Sequence, residues 1–400
     1  MRVTGKKLYR TRNVKTAAVE RIRYAFENFD KISVSFSGGK DSTACLYLTL
    51  DEARRRNQLP LRLIFFDEEA IHPPTVEYVE RVRHWPEVSL EWYCLPVRHR
   101  NACSNEQPFW KTWDPTEKHL WVRDLPEGAI TAHPKFRLGM TIPEFAPYLL
   151  DRNECCISGI RTQESMRRYR LITSKVNDHF IARKGGKAYA YPIYDWDSAD
   201  VWRLVKEEGY DYNQTYDILN RTRLFEDLLK QRVCPPFGEE PIQGLWKYAE
   251  CWPDLWHKML YRVKGVATAW RYAPTELYKG SVKPEGMTWR EFCELQLSNY
   301  TEPDLQRTVR AQVAKAIAAH FNKTDEPIDD NKDHILTGVS WRFLARMAIK
   351  GDLKGRQLQR LVTNAQVALS RTGMSLKEAI EKHGTERYKA RKRKAALAAH

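Results

Sequence analysis

Nowhere does this chain of 400 residues hold an apolar run approaching the roughly 20 residues that span a bilayer. Behind Met1-Arg2-Val3-Thr4-Gly5-Lys6-Lys7 there is no apolar signal core either. Cysteine is sparse, with eight residues scattered along the chain. The expectation is therefore a cytoplasmic protein, with no membrane partner, whose thiols stay reduced and form no disulfide framework. Negative charge is in deficit: 51 Asp and Glu against 66 Lys and Arg leave a net charge of +15. Such a balance suits polyanionic partners, nucleotides first and DNA or RNA second. No segment repeats, which excludes a solenoid. The length allows two domains, or one enlarged domain with a helical extension.

What is present is concentrated in Ser33-Val34-Ser35-Phe36-Ser37-Gly38-Gly39-Lys40-Asp41-Ser42-Thr43. Ile32, Val34 and Phe36 are the apolar positions of a buried strand, and Gly38 and Gly39 allow close backbone approach. Ser42-Thr43-Ala44-Cys45-Leu46 opens a helix whose N-terminus offers unpaired N–H groups and a positive dipole end. Ser37, Ser42 and Thr43 add hydroxyl donors and Lys40 adds a positive charge, completing a cradle for a phosphate chain such as pyrophosphate. The Walker pattern, with four residues between glycine and glycine-lysine, is absent.

Around the cradle the chain reads as alternating helices and strands. Val14, Ala17, Ala18, Ile22, Ala25, Phe26 and Phe29 fall at helical spacing. A helix to about Asn57, a strand over 61–66, a helix opened by Pro73-Pro74-Thr75 and a strand over about 89–95 follow. That succession predicts an α/β fold, a doubly wound parallel sheet with ligands at the carboxyl ends of its strands. Asp67 and Glu68 stand at one such end, where they could hold Mg²⁺ or the ribose and adenine edge, or merely cap a turn. Residues 96–150 form an insert in which Phe109, Trp110, Trp113, Trp121 and Phe136 alternate with Arg98, Arg100, Lys111, Lys118, Arg123, Lys135 and Arg137. Aromatics beside cations suit base stacking and phosphate pairing, and they equally suit an irregular tryptophan-filled core.

The loop Ser37-Gly38-Gly39-Lys40-Asp41-Ser42 resembles the PP-loop of the ATP pyrophosphatases and the phosphoadenosine phosphosulfate (PAPS) reductase superfamily. Gly159-Ile160-Arg161-Thr162-Gln163-Glu164-Ser165-Met166-Arg167-Arg168 is similar to a second block of that superfamily, Gly-x-Arg-x-x-Glu-Ser-x-x-Arg. Pro192-Ile193-Tyr194-Asp195-Trp196 with Asp200-Val201-Trp202 is similar to a third. The resemblance implies an adenine-nucleotide α-hydrolase-like fold and adenylyl transfer from ATP. Lys40, Asp41, Arg161 and Arg168 would then be catalytic, and Ser37, Gly38, Gly39, Lys40, Ser42, Asp67, Glu164 and Ser165 would bind the nucleotide with Mg²⁺. Arg161 and Arg168 suit bidentate grip on an anion. Where the superfamily carries a glutamate after its Phe-Pro, this chain has Pro74.

Further matches extend the likeness to about residue 360: Leu95-Pro96-Val97-Arg98-His99-Arg100, Pro235-Pro236-Phe237-Gly238, and Ser340-Trp341-Arg342 with Lys350-Gly351-Asp352. They resemble a bacterial and phage branch that includes immunoglobulin-binding regulator A, which implies a ParB/sulfiredoxin-like partner and a role in nucleic-acid modification or prophage regulation. Reduction of PAPS ranks second, because the mobile C-terminal cysteine motif of such reductases is missing and the last cysteine is Cys293. A nucleotide- and nucleic-acid-binding regulator without turnover is the third reading. Cys155-Cys156, Cys234 and Cys251 resemble an incomplete set of iron–sulfur ligands, implying a [4Fe–4S] site or, failing that, buried thiols. The expected division is a nucleotide-binding domain over 1–238, a helical C-terminal domain over 239–386 and a disordered basic tail over 387–400.

Overall fold

The computed structural model describes residues 11–104, 106–173, 180–184, 187–221, 233, 236–238, 244–272, 283–300, 303–350 and 357–397. The chain makes two compact units, Met1–Asn101 with Phe109–Val266 and Ala102–Pro108 with Ala267–His400. No helix among the described residues is long and apolar enough to cross a membrane.

In the first unit α1 (Val14–Asn28) is started by Asn13, whose side chain accepts from Thr16 N at 2.8 Å. There follow β1 (Lys31–Ser35), α2 (Lys40–Arg55), β2 (Leu61–Phe66), α3 (Pro73–Arg83) and β3 (Val88–Tyr93). The insert contains the antiparallel pair β4 (Arg98–Arg100) and β5 (Phe109–Lys111) and a short helix α4 (Ile142–Phe145). Then come β6 (Glu154–Ser158), α5 (Met166–Thr173), β7 (Ile181–Lys184), β8 (Lys187–Ala190), α6 (Ser198–Glu208), α7 (Thr215–Arg221), α8 (Leu245–Cys251) and α9 (Pro253–Arg262), while α10 (Val266–Tyr272) belongs, after its first residue, to the second unit.

The sheet order is β3-β2-β1-β6-β8-β7, all parallel except the edge strand β7, which runs antiparallel to β8. This is the expected doubly wound α/β sheet. Its two faces bury separate apolar clusters, as alternation along each strand requires. Leu61, Leu63 and Phe65 of β2 face one cluster with Leu46, Leu50 and Ala53 of α2, while Ile64 faces the other with Tyr93 and Phe145. Each fully buried leucine or phenylalanine contributes about 1.5–3 kcal/mol, so apolar burial outweighs helix propensity in holding α2.

The first unit runs past the boundary expected at 238, because α8 and α9 belong to it. The anchor is Arg262, whose guanidinium donates to both Glu69 oxygens at 2.7 and 3.0 Å, to Glu117 at 2.7 Å and to the Lys111 carbonyl at 2.7 Å.

The second unit is helical: α11 (Trp289–Ser298), α12 (Pro303–Phe321), α13 (Trp341–Lys350), α14 (Leu361–Ser370), α15 (Leu376–His383) and α16 (Glu386–Leu397). Phe292, Leu297, Val309, Val313, Leu344 and Met347 form its core. Of the basic segment expected to be disordered, residues 387–397 lie in the helix α16, started by Thr385 and held by Tyr388, which packs with Leu336, Ala379 and Ile380. In the acidic stretch 325–331, Asp330 accepts from Trp289 N and Arg290 N, both at 3.1 Å, at the start of α11.

Candidate functional site

Leaving β1 the chain goes to β2 and β3 on one side; returning through β6 it continues on the other. The crevice between β1 and β6 is thus the topological switch point, where ligands of such sheets bind beyond the strands' carboxyl ends. Ser35 lies beside Ser158 in register, so the loop 36–39 and the loop 159–165 emerge together. The sequence places its phosphate cradle and its arginine block on those two loops.

Gly38 has φ +68°, a conformation open to glycine, and a Cβ there would come 3.0 Å from Thr75 Cγ2. Gly39 is the N-cap of α2 and Lys40 its first residue. The Ser42 hydroxyl donates to Gly39 O at 2.9 Å, accepts from Ser37 N at 3.2 Å and meets the Ser37 hydroxyl at 3.0 Å. The loop is thereby closed on itself, with the start of α2 aimed at the crevice. Lys40 is buried, and its ammonium lies 3.2 Å from the Asp41 carboxylate.

Arg161 is the second cation on Asp41, with Nε 2.7 Å from Oδ1. It also donates to Gln163 at 3.2 Å, to the Trp196 carbonyl at 3.4 Å and to Ser198 at 3.1 Å. Only 2% of it is exposed. Its fork is directed at protein groups, so it fixes the phosphate loop to the start of α6 rather than reaching out as an anion clamp. Arg168 pairs with Glu164, which also accepts from Arg161 N at 3.4 Å. Ser165 caps α5 by accepting from Arg168 N at 3.3 Å. The structure brings Ser37, Gly38, Gly39, Lys40, Asp41, Ser42 and Arg161 into one network and sets Glu164, Ser165 and Arg168 beside it.

Asp67 is elsewhere engaged. It is 1% exposed, accepts from Trp92 Nε1 at 2.8 Å and Glu69 N at 2.9 Å, and pairs with Arg123. With Asp67 enclosed and Asp41 bracketed by Lys40 and Arg161, these two carboxylates do not fit a protein-held Mg²⁺. Only magnesium held by a nucleotide's own phosphate oxygens is compatible with them. The tryptophans of the insert are likewise turned inward: Trp110 and Trp113 are buried, with Arg262 and Arg123 over their faces at 5.2 and 4.8 Å. They are core, not stacking platforms.

The iron–sulfur assignment does not survive the strand geometry. Cys155 and Cys156 are neighbours on β6, so their thiols point to opposite faces, one into each apolar cluster. Four sulfurs around one cluster must converge. Burial pushes both thiols up to about 12. Cys251 lies on α8, and Cys234 falls outside the described residues. Among the described residues one group of ligating atoms converges, Glu326, His334 and His383 of the second unit. There Leu336 N donates to His334 Nδ1 at 3.2 Å, which puts the ring proton on Nε2, facing Glu326 at 3.0 Å. That is a hydrogen-bonded staple, not a metal-ready set.

Sequence reasoning missed four participants. Asn213 donates to Gly38 O at 2.9 Å and Tyr216 accepts from Lys40 N at 3.0 Å, both from α7 and the turn before it. Glu69, wholly buried, holds Arg262. His72, the N-cap of α3, stacks on Tyr248 at 4.6 Å and meets Trp252 edge-on at 4.9 Å. Burial, with Lys247 nearby, lowers its pKa to about 3 and keeps it neutral. Each contact joins positions more than a hundred residues apart, and no local pattern announces it.

Residues 31–219 match the phosphoadenosine phosphosulfate reductase domain, and residues 225–324 match a domain of unknown function, DUF3440. A protein of Escherichia coli (strain K12), "Uncharacterized protein YbdN", is 34% identical over 371 residues, covering 86% of this chain and 90% of that one. Among solved structures, a phosphoadenylyl-sulfate reductase from Candida auris in a phosphate complex is 16% identical, covering 54% of this chain and 94% of that chain, with a TM-score of 0.28. FMN adenylyltransferase from Candida glabrata in complex with ATP is 13% identical, covering 53% of this chain and 62% of that one, with a TM-score of 0.31.

Proposed function

The chain belongs to the family of Escherichia coli YbdN and carries a PAPS reductase domain of the PP-loop superfamily, and from that premise we propose that it is an ATP pyrophosphatase that adenylylates an acceptor. The observation that supports this most directly is the closed loop Ser37–Ser42 at the β1/β6 switch point, with buried Lys40 at the start of α2. An acceptor oxygen attacks the α-phosphorus of ATP, the bond to the bridging oxygen breaks, and pyrophosphate leaves with the electron pair. The N-terminus of α2 and the Lys40 ammonium offset the charge growing on that leaving group. Asp41, Arg161 and Ser198 keep the loop in place. Nucleic acid is the acceptor class that the net charge of +15 favours.

Reduction of PAPS remains the weaker reading, because a thiol nucleophile must be an accessible thiolate. Burial pushes Cys293 up to about 12, as it does Cys155 and Cys156, and also raises Cys45, Cys94 and Cys251, while Cys103 and Cys251 are the partly exposed thiols among the described residues. Sulfite released from PAPS with thioredoxin would reverse this order. The charge surplus also supports a regulator that binds nucleotide and nucleic acid without turnover.

The deciding experiment incubates the protein with α-labelled ATP and Mg²⁺, with and without DNA or RNA, and separates the nucleotides. Pyrophosphate, with the labelled AMP on the acceptor or freed from it when water or a later nucleophile displaces it, is expected from the wild type and not from Lys40→Ala, whose circular dichroism stays unchanged. Pyrophosphate release that persists in Lys40→Ala refutes the assignment. Salt-dependent DNA binding without any release favours the regulator.

A further inference from the structure

One donor of the phosphate loop is already in use. The main-chain N–H of Lys40, at the first position of α2, donates to the Tyr216 hydroxyl at 3.0 Å in a buried bond. Tyr216 is held there from several sides. Asn213, wholly buried, donates through Nδ2 to Gly38 O at 2.9 Å and to Thr75 Oγ1 at 2.8 Å, and its Oδ1 accepts from Thr215 N at 2.9 Å. The Thr215 and Thr75 hydroxyls meet at 3.1 Å, and the Tyr216 ring stands edge-on to Trp202 at 5.0 Å.

A phenol oxygen is a neutral and modest acceptor. A phosphate oxygen at the start of a helix is a charged one, favoured by the same N–H and by the dipole behind it. We propose that Tyr216 stands in for a phosphate oxygen: its hydroxyl satisfies Lys40 N in the unliganded protein and yields that donor when a pyrophosphate group binds. This rests on the phosphate-binding reading of the loop given above. The two anchors divide the work. Asn213 grips the carbonyl of Gly38, so the loop keeps its shape while the Tyr216 side chain gives up its bond. The loop's amide is never left buried without a partner, which would otherwise weaken the empty state. In consequence the phosphate chain competes with a built-in occupant, and its affinity is set below what the bare loop would give.

The test is calorimetric titration of inorganic pyrophosphate into the full chain as wild type, Tyr216→Phe and Asn213→Ala. Removing the hydroxyl deletes one competing hydrogen bond, so Tyr216→Phe binds pyrophosphate tighter, by about five-fold. Asn213→Ala, which frees the loop, binds weaker. A purely structural role for Tyr216 predicts equal or weaker binding in Tyr216→Phe, and that result overturns the proposal while leaving the loop assignment standing. If Tyr216→Phe fails to fold, Tyr216→Leu repeats the measurement with the same expected sign. If wild type and Tyr216→Phe are both folded and neither binds pyrophosphate, the loop assignment itself falls and this inference falls with it.

Discussion

Gly159 has no room for a side chain: a Cβ there would stand 2.7 Å from the Asp41 carbonyl carbon and 2.9 Å from Ser42 N. The backbone after β6 therefore lies directly against the first turn of α2, and that contact lets Arg161, two residues on, reach Asp41. Gly159→Ala is expected to lower stability by about 1–3 kcal/mol through overpacking, read by urea unfolding, and to weaken pyrophosphate binding. His72 makes a different demand on its surroundings. Its folded pKa of about 3 lies below the value of about 6.5 for an unfolded histidine. The unfolded chain thus binds the extra proton, so the full contribution is present above about pH 6.5 and is lost as pH falls toward 3, at up to about 1.4 kcal/mol per unit. His72→Phe keeps a ring between Tyr248 and Trp252, and should flatten the acid side of the stability profile by one proton. An unchanged slope would mean that His72 is protonated in the folded protein.

At the scale of elements, α9 shows why the first unit does not end where composition changes. Arg262 and Glu69 form an ion pair in which both side chains are at most 1% exposed, and Trp113 N adds a 2.6 Å bond to the carboxylate. Removing one partner leaves a buried charge uncompensated, so Arg262→Ala is expected to cost about 3–5 kcal/mol, whereas replacing both partners with apolar residues costs much less. Double-mutant unfolding measurements separate the two cases. The β-α-β-α-β run was legible because period-two and period-3.6 patterns are local, and β1, α2, β2, α3 and β3 lie where those patterns predict. The partners of the loop were not legible. Asn213 and Tyr216 look like ordinary polar residues of a turn and a helix, and Cys155-Cys156 looks like a ligand pair until the strand sets the two thiols on opposite faces.

At the scale of the molecule, each compact unit closes its own apolar core, one around the sheet and one around α11, α12 and α13. Calorimetry is expected to resolve two transitions. Leu344→Ala, at a fully buried position of α13, should lower one of them by about 2–5 kcal/mol and leave the transition that Arg262→Ala lowers where it was. A single transition shifted by both variants would contradict this. The net charge of +15 belongs to this scale too, since it bears on which polyanions approach and not on how the sheet is built.

The succession β1-α2-β2-α3-β3, the phosphate loop and its place on a strand–helix turn follow from the sequence alone, because spacing, glycine and helix-end chemistry act within a few residues. Only the tertiary structure decided what the side chains of that loop touch. It turned Arg161 from an anion clamp into a brace for Asp41, enclosed Asp67, separated Cys155 from Cys156 and brought Tyr216 onto Lys40 N. Those outcomes depend on which distant segments share a buried volume, where every polar atom must find a partner, and no local pattern carries that information.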